Sequence, residues 1–208
     1  MSELPVLALL AWATLVGLDL ASVLQGLFNR PLVAGAVTGA ILGDPETGLR
    51  IGVTLELFEL DVLPIGASRY PDYGAATVAA VVFGAHQPWV ATLGPAVLLG
   101  LALAQLGSWS VVMHRRVTAW ALRRAASALD KGERGAAVRV HLAGLLADVA
   151  RSAVLAPVGI GLAMQLGGPA RLDLAKERGC DGVEPDNVAG HTNDSGFPLT
   201  ASDLLAFN

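Results

Sequence analysis

The chain has 208 residues, of which 53% are hydrophobic and only 15% charged, with a mean hydropathy of +0.56. A soluble domain usually carries about 25% charged residues, so an ordinary cytosolic fold is excluded, as is disorder over most of the length. Fourteen Lys and Arg against 18 Asp and Glu give a formal charge of −4, which leaves no basic surface for nucleic acid; the single cysteine, Cys180, excludes an intrachain disulfide and, alone, a structural zinc site.

Residues 4–28 (LPVLALLAWATLVGLDLASVLQGLF) reach the roughly 20 apolar residues that a membrane-crossing helix needs, with Asp19 as the interruption. The chain begins MSEL, with Glu3 where a secretory signal carries positive charge, so this segment is expected to stay as a membrane helix. Residues 31–43 and 48–60 are apolar but only 13 long each, too short to span. Gly35, Gly39, Gly43, Gly48 and Gly52 recur at or near helical spacing, which lets two backbones pack closely. Between them, Asp44 has the place of a helix N-cap and Pro45 that of the first helical residue. Short apolar segments interrupted by Gly and Pro are the pattern of re-entrant or broken helices at transporter binding sites; an ordinary buried helical hairpin has the same pattern.

Residues 75–113 hold no Asp, Glu, Lys or Arg over 39 positions, enough for two crossings broken at His86-Gln87-Pro88, where proline disfavours helix in the residue before it. Residues 114–139 then carry half of all Lys and Arg in the chain, seven of 14, against Asp130 and Glu133. The positive-inside rule turns this segment to the cytoplasm. Val117, Trp120, Ala121 and Leu122 set among its arginines make it an amphipathic helix for the inner leaflet or a cytoplasmic partner, or else a solvated loop. Residues 141–166 are again apolar except for Asp148 and Arg151, which lie three residues apart on one helix face and are placed to pair.

Ionisable groups in apolar surroundings are the candidate functional residues, because a carboxylate near the bilayer centre costs roughly 2.5–3.5 kcal/mol on insertion scales. Glu56, in GVTLELFEL, leads. Its carboxylate suits the acceptance of hydrogen bonds from the hydroxyls of a polar solute; the alternative is a structural pair with Arg50 or Arg69. Glu59 and Asp61 follow it, nearer the membrane interface. Asp19, Gln25, Asp72, His86 and Gln87 are further candidates, Asp72 also as an N-cap and His86 also as a plain structural residue at a helix break. No metal-ligand spacing, nucleotide-binding glycine motif or nucleophile motif is present, so no metal, cofactor or catalytic residue is expected.

The spaced pieces Arg30-Pro31-Leu32, Leu42-Gly43-Asp44, Thr47-Gly48, Gly52 with Thr54-Leu55-Glu56, Ile65-Gly66-Ala67, Pro71-Asp72 and Gly84-Ala85-His86-Gln87 resemble, in order, the IIC permease subunit of the mannose/fructose/sorbose family of the bacterial sugar phosphotransferase system. The resemblance covers residues 1 to about 168. It implies an all-α, polytopic protein of the bacterial cytoplasmic (inner) membrane that moves a hexose or amino sugar and is itself no enzyme. Its implied partners are a IID membrane subunit, cytoplasmic IIA and IIB phosphocarriers that perform the phosphoryl transfer, the hexose-type sugar and membrane lipid; a homo-oligomer is compatible with it. The resemblance carries Glu56 over as part of the sugar site and places Asp44 and Asp72 as polar positions near the re-entrant region, with Gln25, His86 and Gln87 beside them.

From residue 171 the chain turns polar. GCDGVEPDNVAGHTNDSGFPLTASDLLAFN resembles a segment of the endo-alpha-1,4-polygalactosaminidase family of secreted glycoside hydrolases, with Asp181, Glu184 and Asp186 as the corresponding carboxylates. A (β/α)8 barrel takes about 200 residues at the least, so a secreted hydrolase is the weaker alternative and would be inactive at this length. The expectation is a permease domain over 1–170, C-terminally truncated relative to its family, and a poorly ordered hydrolase-like fragment or appendage over 171–208. Residues 1–170 carry equal numbers of basic and acidic side chains, 11 of each, so the whole net charge belongs to 171–208.

Overall fold

The structure, a computed structural model, describes residues 3–22, 26–61, 69–131, 133 and 135–166. The expected appendage at 171–208, like Gln25, lies outside them. The described residues form six helices and no strand: α1 Glu3–Asp19, α2 Pro31–Leu42, α3 Pro45–Glu59, α4 Tyr73–Gly84, α5 Trp89–Asp130 and α6 Ala136–Leu166. The fold is all-α, as the sequence indicated.

The first segment is not one continuous helix over 4–28. α1 stops at Asp19, whose carboxylate turns back to accept from the amides of Gly26 (2.6 Å) and Asn29 (3.0 Å) in the following turn. A side chain that offers the backbone this alternative competes with continued helix.

α2 and α3 form the expected close-packed hairpin. Gly43, at φ +76°, closes α2 in the left-handed region, where an L side chain is strained and glycine is not. Pro45 starts α3, and Asp44 accepts from the Thr47 amide at 3.2 Å as its N-cap. The two helices then run antiparallel at backbone contact: a Cβ on Gly35 would lie 2.9 Å from Gly52 Cα, and one on Gly39 would lie 2.9 Å from Gly48 Cα.

α4 is the central helix. Ten of its twelve residues are buried, which is why it is apolar on every face. On one side it packs Ala79, Ala80, Val81 and Phe83 with Ile51 and Leu55 of α3 and Ala96 and Val97 of α5; on another, Val78 meets Leu9, Ala13 and Val16 of α1 and Ile160 of α6. The break expected at 86–88 separates α4 from α5.

α5 and α6 are the two helices long and apolar enough to cross a membrane, over Thr92–Ala128 and Ala136–Leu166. The basic segment is not a separate amphipathic helix; its first part continues α5 without interruption to Asp130. At 1.5 Å per residue the 42 residues of α5 reach about 63 Å, twice the roughly 30 Å hydrocarbon core. Leu98, Leu106, Leu146 and Val154, each at least 60% exposed, stand on the outside of this pair. A water-soluble surface buries such groups; lipid solvates them.

Candidate functional site

The predicted polar residues fall into two groups at opposite ends of the hairpin. At its tip, Asp44 Oδ2 accepts from the backbone N–H of His86 at 2.8 Å, and His86 Nε2 lies 2.9 Å from the Leu42 carbonyl. His86 holds φ +62° to make these contacts, and Gln87 follows it in the same break. The Asp44 carboxyl is partly withdrawn from water, which opposes ionisation, but the His86 amide and the Thr47 hydroxyl and amide hold it below the usual carboxylate range. This group pins the α2–α3 turn to the α4–α5 break. Asp44→Ala removes an N-cap and that cross-link together, so thermal unfolding in detergent is expected to register a loss of about 1–2 kcal/mol.

Glu56 lies twelve residues further along, about 18 Å from the tip at the helical rise. It is ion-paired to Arg30, the residue that precedes α2, and not to Arg50 or Arg69. Arg50 pairs instead with Glu46, and the Arg69 guanidinium lies 4.0 Å from the centroid of the Trp109 ring. The second Glu56 oxygen accepts from the Leu32 amide at 3.1 Å, one of the orphan donors at the start of α2. Arg30 also reaches Glu59 Oε1 at 3.4 Å. Two carboxylates therefore share one guanidinium, and Glu59 Oε2 is buried with no hydrogen-bond partner. Glu59, the weaker candidate in the sequence, thus presents the more open acceptor. Asp61, two residues on, is exposed.

The residue before Arg30 connects this pair to a second polar centre. Asn29 Nδ2 donates to Asp72 Oδ1 (3.3 Å) and to the Val16 carbonyl (3.4 Å). Asp72 is 1% exposed. It caps α4 through the Ala75 amide at 3.2 Å, as the sequence allowed, and its own amide donates to the Ala104 carbonyl at 3.0 Å. Gly107 on α5 leaves the room: a Cβ there would lie 2.6 Å from the Asp72 Cβ.

Arg151 closes the centre from α6. Its Nε donates to Asp148 Oδ1 at 2.7 Å, so the expected pair on one helix face forms; its Nη2 donates to the Gly17 carbonyl at 2.7 Å and its Nη1 to Ser110 Oγ at 3.2 Å. Nη1 also stands 3.5 Å from Asp72 Oδ2. Ser22 donates to the other Asp148 oxygen. One guanidinium thus holds α1, α4, α5 and α6. A cavity of about 70 Å³ beside Asp72 is lined mostly by leucines and small residues of α4, α5 and α6.

The structure therefore joins Glu56 to Asp72 through Asn29 and Arg30, and sets Asp44 and His86 apart at the tip. Asn29 was not a candidate in the sequence, and Arg30 stood out there only in the Arg-Pro-Leu match. Among the described residues, no group of three or more His, Cys, Asp or Glu is placed to hold a metal ion.

The family described as PTS system sorbose-specific IIC component matches residues 4–169, and glycoside-hydrolase family GH114 matches residues 168–208. The chain is 32% identical over 133 residues to the PTS system mannose-specific EIIC component of Escherichia coli (strain K12), covering 63% of this chain and 48% of the relative. It is 36% identical over 128 residues to the fructose permease IIC component of Bacillus subtilis (strain 168), covering 60% and 45%, and 30% identical over 156 residues to the sorbose-specific EIIC component of Lacticaseibacillus casei, covering 74% and 54%. It spans about half the length of these curated relatives. Among solved structures, the complex of the mannose transporter ManYZ with microcin E492, determined by cryo-EM, contains a similar chain: TM-score 0.66 and 26% identity over 84% of this chain and 68% of that one.

Proposed function

The chain belongs to the sorbose-specific IIC component family of the sugar phosphotransferase system, and from that premise we propose that it is the sugar-binding membrane permease subunit of such a system. It moves a hexose or amino sugar across the bacterial cytoplasmic membrane as a multi-pass protein. A IID subunit accompanies it in the membrane, while IIA and IIB proteins carry the phosphoryl group, so the chain itself performs transport and no covalent chemistry. Residues 1–170 act as this permease unit; residues 171–208 are an appendage outside it. The GH114 match is confined to residues 168–208, a small part of the roughly 200 residues or more that such a barrel takes.

The observation that carries the reading is the Arg30-bridged pair of Glu56 and Glu59, with Asn29 and Asp72 adjoining. A sugar presents hydroxyls, each donor and acceptor; carboxylates supply acceptors and a guanidinium supplies donors in a fixed plane. Such a constellation among apolar helices is costly without use, and Glu59 Oε2 is an acceptor with nothing to accept. In this reading Asp44, His86 and Gln87, set apart at the tip, serve the re-entrant turn, and Gln25 is a further polar group for the sugar from outside the described residues.

Glu56→Gln keeps the side-chain shape, and Arg30 keeps Glu59. Expressed with IID, IIA and IIB partners, this variant is expected to lower initial sugar uptake at limiting sugar by about 10- to 100-fold, the equivalent of one charge-assisted hydrogen bond, with unchanged abundance in the membrane fraction. Unaltered uptake would remove Glu56 from the site.

A further inference from the structure

The half of α5 beyond the packed core carries a second set of unused polar groups. Two clefts of about 420 and 460 Å³ meet at His114 and Thr118, between the end of α1, α5 and the first half of α6. His114 and Thr118 stand four residues apart on one face of α5. His114 Nδ1 and Thr118 Oγ1 are buried polar atoms with no hydrogen-bond partner in the protein. His141 lines one cleft from α6, while Arg115 lines the other, donating to the Tyr70 hydroxyl at 2.8 Å. The remaining walls are mostly apolar, with Leu122 and Leu145 the largest.

The charge around these clefts is one-sided. Arg116, Arg123 and Arg124 are exposed on α5, and Arg139 on α6. The nearby acids are few: Glu133 is 3.8 Å from Arg139, Asp130 ends α5, and Asp148 is fully buried against Arg151 and Ser22. Two unpartnered buried polar atoms, a positive rim and apolar walls, at the end of two membrane-length helices, match one chemistry: a phosphate ester bearing hydrocarbon chains. A basic recess between membrane helices on the cytoplasmic side is where anionic lipid headgroups bind, and the basic run at 114–139, which spans the end of α5 and the start of α6, puts this end on that side.

We propose that the joined clefts are a headgroup site for an anionic phospholipid of the cytoplasmic leaflet. The phosphate lies toward Arg115, His114 and His141, with the Thr118 hydroxyl donating to it, and the chains run out along Leu122 and Leu145. The apolar walls select lipid over free phosphate, and the arginine rim selects an anionic over a zwitterionic headgroup.

The test titrates the full chain, purified in a neutral maltoside detergent, with phosphatidylglycerol, phosphatidylcholine or inorganic phosphate, read by native mass spectrometry and by the thermal midpoint. Phosphatidylglycerol is expected to bind at a midpoint at least tenfold below phosphatidylcholine and to raise the thermal midpoint, whereas inorganic phosphate does neither. Arg115→Gln and His141→Ala are each expected to raise the phosphatidylglycerol midpoint several-fold and leave phosphatidylcholine unaffected. His141 is exposed, so its variant keeps the test decisive if losing the Arg115–Tyr70 contact disturbs folding. Equal binding of the two lipids, or phosphatidylglycerol binding unaffected in both variants, overturns the proposal; inorganic phosphate binding as tightly as the lipid overturns it in favour of a soluble phosphate.

Discussion

Arg151→Met is expected to destabilise the fold by about 3–5 kcal/mol, the cost of leaving buried charge without its partner. The side chains of Arg151, Asp72 and Asp148 are 7%, 1% and 0% exposed, so removing the guanidinium strands two buried carboxylates. The methionine retains much of the stem's packing, which isolates the charge. Asp148 would keep only the Ser22 hydroxyl, and the Gly17 carbonyl would lose the donor that reaches it from α6. Arg151→Lys should recover a minor part, because an ammonium offers one point of charge where the guanidinium fork meets a carboxylate, a carbonyl and a hydroxyl at once. Thermal unfolding in detergent should show a fall on the order of 10 °C for the methionine variant. Arg139→Met, which removes an ion pair with both partners more than half exposed, is the reference and should change stability by less than about 1 kcal/mol. Equal effects in the two variants would mean that the Arg151 network contributes nothing beyond a surface pair.

The second large effect is expected from a single methyl group. In Gly48→Ala the new Cβ would collide with the Gly35 carbonyl and lie 2.7 Å from Gly39 Cα. Both neighbours are backbone, so relief requires the two helices to separate along the hairpin. Overpacking of this kind costs about 1–3 kcal/mol, occasionally more, and here it also displaces the strand of contacts that brings Glu56 to Arg30. Gly161→Ala, with nothing within 4 Å of the added carbon, should instead stabilise α6 by up to about 1 kcal/mol through helix propensity. Opposite signs for the same substitution would locate the effect in the hairpin contact; similar small changes at both positions would show that α2 and α3 do not pack at backbone distance.

The contrast between what was readable in the chain and what was not follows sequence separation. The Asp44 cap, the Pro45 start, the glycine-lined hairpin and the break before Pro88 are local, each written within a few residues, and each is found where the sequence put it. Asp148 and Arg151 are also local, three residues apart, and they pair. The interactions that make the site are not. Glu56 meets Arg30 across 26 residues, and Asn29 meets Asp72 across 43; Asp72 and Arg151 belong to different helices that only the packing around α4 brings together. The sequence offered Arg50 and Arg69 as partners for Glu56 and the structure gives Arg30, because no local rule reaches across that separation. The end of α1 was missed for a related reason: a run of apolar residues records the suitability of a segment for helix, while the competing turn depends on a carboxylate at Asp19 reaching amides seven and ten residues ahead.

The early end of α1 sets how the chain leaves that helix. Seventeen residues make a helix of about 25 Å, short of the roughly 30 Å of hydrocarbon it would have to cross. Amides that follow such a helix outside regular structure need partners wherever water does not reach them. Asp19, itself buried, supplies them: one carboxylate accepts hydrogen bonds from the Gly26 and Asn29 amides. The charge that interrupts a hydrophobic stretch is thus the means by which the chain leaves α1 without stranding those amides, and it fixes where Asn29 and Arg30 are held relative to the helix end.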